Sequence, residues 1–130
     1  MEKLRIFIVE DESIVAKDIQ NSLVKLGYEV IGIANNGKEA IEKIIETMPD
    51  LILMDIMIKG DLTGIDVSDK IKEKTKIPVI FLTAYADEGT LSKAKVTEPY
   101  GYILKPFKEI DLHSTIEMAV YKHQKDAELQ

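Results

Sequence analysis

Short apolar runs alternate with stretches of helical spacing five times along this chain. Leu4 to Val9 is rich in β-formers and reads as a first strand. After it, Ile14, Val15, Ile19, Leu23 and Leu26 recur at helical intervals, and the stretch stops at Gly27, a residue suited to the left-handed position that ends a helix. Tyr28 to Ala34 reads as a second strand and Asn35-Asn36-Gly37 as a turn. Ala40, Ile41, Ile44, Ile45 and Met48 then mark the inward stripe of a second helix, ended before Pro49. Leu51 to Met54 is an uninterrupted apolar strand, a pattern that implies burial on both faces. A loop from Ile56 to Thr63 leads to Gly64 and a weaker third helix with Ile65, Ser68 and Ile71 inward. Ile77 to Leu82 is the fourth strand, and Pro78 is tolerable at its start. A short helix over about Asp87 to Lys95, a fifth strand over Tyr100 to Leu104 and a last helix over about Lys108 to His123 complete the pattern. Leu112, Ile116, Ala119 and Val120 face inward from that last helix. The polar end from Lys122 to Gln130 fits a helical extension, a linker stub or a frayed tail.

Strict strand–helix alternation predicts an α/β domain, a doubly wound five-stranded parallel sheet with helices on both faces. Right-handed crossovers bring every strand's C-terminal end to one edge, where open sheets of this kind bind ligands. Periodicity leaves the strand order open. The residues delivered to that edge are Glu10 and Asp11 after the first strand, Asp55 after the third, Thr83 after the fourth and Lys105 after the fifth. Alone, each has a plainer reading. A carboxylate after a strand is usually a turn or cap residue, acids suit a helix N-terminus, and a lysine is usually on the surface. Together they make a site for a divalent cation and a phosphoryl group. Carboxylates from two strand ends hold a hard ion such as Mg²⁺, which prefers oxygen ligands and shares a phosphate. Its charge lets Asp55 act as a nucleophile toward phosphorus. Lys105 adds a second positive charge, and the Thr83 hydroxyl can donate to a phosphoryl oxygen.

Composition narrows the field. A chain of 130 residues with 45% apolar and 31% charged positions is a single globular domain with a real core. The absence of cysteine excludes disulfides, thiolate metal sites and cysteine catalysis. A net charge of −6 argues against direct nucleic-acid binding. No apolar stretch approaches the length needed to cross a bilayer, so membrane insertion is not expected. Met1-Glu2-Lys3-Leu4-Arg5 lacks the apolar core of a signal peptide, and a cytoplasmic location is the expectation.

Four ordered motifs, Ile8-Val9-Glu10-Asp11-Glu12, Leu53-Met54-Asp55, Leu82-Thr83-Ala84 and Tyr102-Ile103-Leu104-Lys105-Pro106-Phe107, resemble those of the receiver domain of two-component response regulators. The likeness covers about Leu4 to Tyr121 and sets a domain at residues 1–122, with 123–130 as a polar tail or linker stub. It implies a flavodoxin-like fold with strand order 2-1-3-4-5 and a cis peptide at Lys105-Pro106. By the same resemblance, Asp55 accepts a phosphoryl group from a sensor histidine kinase or phosphotransfer protein. Mg²⁺ would be held by Asp11, Asp55 and the backbone carbonyl of Met57, with Glu10 acting through water. Lys105 would pair with the phosphoryl group, and Thr83 and Tyr102 would be the switch residues. Ala84 is small and would leave the phosphoryl group room.

The chain also departs from the family. Met57-Ile58-Lys59-Gly60-Asp61-Leu62-Thr63-Gly64 lacks the family's frequent proline and is one residue longer, so a more mobile loop is expected. This loop, with Glu98-Pro99-Tyr100-Gly101, is similar to receivers attached to PAS and histidine-kinase modules. Fused signalling domains or a downstream effector are therefore expected partners, and a homodimer through the fourth helix, fifth strand and last helix is compatible. Met57 and Tyr85 lie where the family's hydrolytic water passes, and neither offers an acid or amide to orient it, so slow self-dephosphorylation is expected. The alternatives are an FMN-binding flavodoxin-like protein and a Mg²⁺-dependent aspartyl phosphohydrolase. The first needs a hydroxyl- and glycine-rich phosphate loop where this chain has Glu10-Asp11-Glu12. The second usually places an Asp-x-Asp pair where residues 10 to 13 read Glu-Asp-Glu-Ser.

Overall fold

The computed structural model describes residues 3–84, 88–96 and 98–128. In chain order the elements are β1 (Arg5–Val9), α1 (Ser13–Lys25), β2 (Glu29–Ala34), α2 (Gly37–Thr47), β3 (Leu51–Asp55), α3 (Gly64–Lys74), β4 (Val79–Thr83), α4 (Glu88–Val96), β5 (Gly101–Leu104) and α5 (Glu109–Glu128). The strands form one parallel sheet in the order β2-β1-β3-β4-β5. The anticipated start of the fourth helix at Asp87 lies outside the described residues.

Period-two alternation along each strand splits the core into two layers. Phe7, Val9, Ile52, Met54 and Phe81 face one side, packed with Ala40 and Ile44 of α2, Val67 and Ile71 of α3 and Ala94 of α4. Ile6, Ile8, Leu51, Leu53, Ile80 and Leu82 face the other, packed with Ile19 and Leu23 of α1 and Leu112, Ile116 and Ala119 of α5. Every residue of β3 and β4 is buried, as the continuous apolar runs imply.

The helix stripes are narrower than apolar spacing alone implies. Ala16, Ile19 and Leu23 are the buried positions of α1, whereas Ile14 is 78% exposed. In α3 the inward set is Gly64, Val67, Ser68 and Ile71, with Ile65 at the margin. Met48 lies past the end of α2 in the left-handed region (φ 46°) and is exposed. Both ends of α2 are well capped. Asn36 accepts the Glu39 N–H at 2.9 Å, and the Arg5 guanidinium donates to the carbonyls of Thr47 and Met48, both at 2.9 Å.

At the base of the sheet, α5 continues past the last strand through Glu128. The Tyr100 hydroxyl donates to Asp126 Oδ2 at 2.7 Å, and His123 Nε2 donates to the Lys76 carbonyl at 2.8 Å. The Tyr100 and His123 rings meet edge to face at 5.4 Å. These contacts dock the last two turns onto the domain, although those turns have little apolar surface of their own. Tyr100→Phe removes one such bond, worth about 1 kcal/mol. The expected outcome is faster amide exchange over residues 122–128 with strand protection unchanged. Equal protection of those turns in the variant counts against this tie.

Candidate functional site

Register builds the site as a staircase of strand ends. Val9 pairs with Met54, so Glu10, the next residue after β1, comes beside Asp55 at the end of β3. Thr83 pairs with Leu104, so Lys105 emerges next to the end of β4, where its N–H donates to the Thr83 carbonyl at 2.8 Å. The Lys105 ammonium then reaches back across β4. It donates to Asp55 Oδ2 at 2.9 Å and to Glu10 Oε1. Asp55 Oδ1 accepts the Met57 N–H at 3.1 Å, so both oxygens of this carboxylate are fixed. Glu10 Oε2 accepts the Glu12 N–H at 3.3 Å. Glu10 and Asp55 are almost completely buried, at 1% and 6% exposure. Asp11 joins them, and one oxygen from each of the three acids lies within 4.8 Å of the others.

Three acids facing one ammonium leave surplus negative charge in a poorly solvated edge. Burial first, then the neighbouring Asp55, push the Glu10 carboxyl up to about 7 against the opposing pull of Lys105. Burial alone would lower the Lys105 ammonium, but its hydrogen bonds to Glu10 and Asp55 outweigh this and hold it above its ordinary value. The donor set suits a hard divalent cation: all oxygen, partly pre-assembled and carrying more negative charge than Lys105 balances.

The structure brings Glu10, Asp11, Asp55 and Lys105 together and sets buried Thr83 at the adjoining strand end. Tyr102 lies farther along β5 against Phe81, with ring centroids 6.2 Å apart. Its hydroxyl is buried and has no hydrogen-bond partner among the described residues. The Lys105-Pro106 peptide is cis. Tyr85 lies outside the described residues. His113 sits away from this edge, bonded through Nδ1 to the Tyr28 hydroxyl at 3.0 Å and paired with Glu117. Two contributors escaped sequence reasoning. One is the Met57 N–H, which an Asx-type turn after a strand-end aspartate points to. The other is the direct Glu10–Lys105 pairing, which joins positions 95 apart in the chain and leaves no local signal.

The loop after Asp55 lacks the proline but makes several contacts with the rest of the domain. Ile58 and Leu62 pack onto the core, and Asn36 and Lys59 form an isolated parallel bridge. Thr63 and Asp66 close a capping box at the start of α3, and the Gly64 N–H donates to the Ile56 carbonyl at 2.8 Å. A Cβ at position 64 would collide with the Asp55 carbonyl oxygen, so glycine is required there.

Residues 6–117 match the response regulator receiver domain family, and the chain belongs to that family. It is 35% identical over 127 residues to the transcriptional regulatory protein PdtaR of Mycobacterium tuberculosis, covering 97% of this chain and 61% of PdtaR. The chain thus spans less than two thirds of that relative. The signal receiver domain of a modulated diguanylate cyclase from Desulfovibrio desulfuricans superposes with a TM-score of 0.91 at 35% identity, covering 96% of this chain and 99% of that one. The N-terminal domain of a response regulator/sensory box/GGDEF three-domain protein from Carboxydothermus hydrogenoformans gives 0.87 at 37% identity, covering 95% and 98%. The cluster of Glu10, Asp11 and Asp55 fits the phosphoacceptor site of such domains, and these matches favour the receiver reading over the flavin-binding and phosphohydrolase ones. Among the described residues no helix is long and apolar enough to cross a membrane.

The raised Glu10 carboxyl has a sign that can be measured. Glu10 binds its proton more tightly when folded, so its contribution to stability is full below the unfolded value of about 4.5. That contribution is lost as pH rises through about 7. In chelator, the metal-free protein is expected to lose on the order of 3 kcal/mol from this group across that window. Glu10→Gln should flatten the slope and raise stability at pH 8. Parallel denaturation profiles for the two proteins from pH 5 to 8 would contradict it.

Proposed function

We propose that this domain accepts a phosphoryl group on Asp55 and passes the signal on by a change of shape. The observation that carries this reading is the Lys105 ammonium bridging Asp55 and Glu10 beside Asp11. The donor is a phosphohistidine on a sensor histidine kinase or phosphotransfer protein. The P–N bond to histidine breaks as a P–O bond to an Asp55 oxygen forms, and the domain assists its own phosphorylation by holding the groups in place. Asp11, Asp55 and the Met57 backbone carbonyl are the residues to hold Mg²⁺ directly, with Glu10 acting through water. Mg²⁺ supplies charge neutralisation that lets a carboxylate approach a phosphoryl group.

The chain's own groups divide the remaining work. The Met57 N–H restrains one Asp55 oxygen and leaves the carboxylate oriented. Lys105, already oriented by two acids, is placed to follow the transferred charge. Thr83 and Tyr102 form the switch: the Thr83 hydroxyl turns to the phosphoryl group and Tyr102 repacks beside Phe81. The Tyr102 hydroxyl supports this role, because a buried donor without a partner among the described residues makes its present position less strongly held. The altered face of α4, β5 and α5 then meets an effector, a fused signalling domain or a second copy of the chain.

With Mg²⁺ and a small phosphodonor such as acetyl phosphate, the protein should take up one phosphoryl group that base and hydroxylamine release, as an acyl phosphate requires, and Asp55→Asn should take up none. Labelling of that variant at the wild-type rate would overturn the assignment. Met57 is 64% exposed and carries no group able to orient a water molecule, so loss of phosphate should take minutes or longer. Decay within seconds in the isolated protein would contradict this.

A further inference from the structure

We propose that Leu62 is a positioning residue for Asp55, and that the first turn of α2 acts on the phosphoacceptor through it. This rests on the phosphoacceptor reading and extends it to the loop after β3 and the first turn of α2. The Met57 N–H that fixes Asp55 Oδ1 belongs to the loop after β3. The loop's ends are held by main-chain bonds, Ile56 N–H to the Leu82 carbonyl at 3.1 Å and Gly64 N–H to the Ile56 carbonyl at 2.8 Å. Its middle is held differently. Leu62 packs into the core against Gly37, the first residue of α2, while Lys59 bridges to Asn36, the cap of that helix. A Cβ added at Gly37 would lie 2.9 Å from the Leu62 Cβ and 2.8 Å from Val67 Cγ2, so Leu62 has no slack in that direction. Met57 itself projects outward and contributes no comparable anchor. Loop and helix cap therefore move as one body. Displacing Leu62 shifts the Met57 main chain, and with it both its N–H on Asp55 and the carbonyl proposed to face the cation. Misplacement of a reacting group by a fraction of an ångström is costly in rate, whereas losing part of one half-buried contact costs the fold little.

The test compares wild type with Leu62→Ala, Leu62→Met, Gly37→Ala and Asp55→Asn. The half-saturating Mg²⁺ concentration and the maximal rate of labelling by acetyl phosphate are measured for each, with circular dichroism confirming folding at the assay temperature. In parallel, Mg²⁺ alone is titrated while the Met57 amide resonance is followed. Leu62→Ala and Gly37→Ala are expected to shift the Met57 resonance in the metal-free protein and to raise the Mg²⁺ half-saturation roughly five- to tenfold. Leu62→Met, which refills the contact, should restore both. Folded Leu62→Ala and Gly37→Ala proteins with wild-type Met57 resonances and wild-type Mg²⁺ dependence would overturn the proposal. If Leu62→Ala does not fold, Gly37→Ala, which presses on Leu62 from the opposite side, decides the matter. Failure of wild type to label would defeat the phosphoacceptor reading, and the Met57 resonance with Mg²⁺ alone still decides the role of Leu62.

Discussion

The ammonium of Lys105, held between the carboxylates of Glu10 and Asp55, is the contact on which the upper edge of the sheet depends. Two nearly buried acids at neighbouring strand ends repel each other, and low local polarity magnifies that repulsion. Lys105 relieves it from the far side of β4, where β5 delivers it with its own main chain bonded to Thr83. One positive charge against three acids does not complete the neutralisation. Burial and the neighbouring Asp55 raise the Glu10 carboxyl above its ordinary value, and a divalent cation among the three acids would relieve the remaining imbalance. The affinity of the site for a cation and the raised carboxyl of Glu10 thus have one electrostatic origin.

That arrangement survives because the core beneath it does not yield. β1, β3 and β4 are packed on both faces by large aliphatic and aromatic side chains, and their parallel registers fix which residues surface at the edge. A slip of one residue would exchange the two faces of a strand and bury its polar end, so register and charge placement are enforced together. The loops inherit this precision where they are tied down. Asp55 is restrained from the loop side by Met57 N–H, and the loop by Leu62 in the groove that Gly37 leaves open.

Much of this was legible in the sequence, for identifiable reasons. The alternation of apolar runs with helical stripes gave all five strands within two residues of their ends, and strand-end position marked Glu10, Asp11, Asp55, Thr83 and Lys105. The resemblance, not the periodicity, supplied the strand order. Long-range contacts stayed hidden. Nothing local announces that Tyr100 will bond Asp126, that Lys105 will pair directly with Glu10, or that Val67 will be more buried than Ile65. For the loop of residues 57–63, composition speaks only to backbone stiffness and leaves its packing partners unmarked. Its anchoring comes instead from Leu62 and Ile58 packing on elements far along the chain.

The same geometry points to where a signal can leave the site. β5 is an edge strand of four residues, paired with β4 alone, and its burial is lower than that of β3 or β4. It carries Tyr102, whose hydroxyl has no hydrogen-bond partner among the described residues, immediately before the segment that delivers Lys105, and it follows Tyr100, which ties down the last turns of α5. Elements with few packed neighbours reposition at lower cost than central ones. On the proposed reading, charge arriving at Asp55 acts first on Lys105 and Thr83, at the two strand ends that border β5. The displacement of least cost then runs down β5 from Lys105 to Tyr102 and on to Tyr100, toward the base of α5. On that reading the closely packed central strands hold the chemistry in place, and the edge strand is the element that would convert it into a change at the surface.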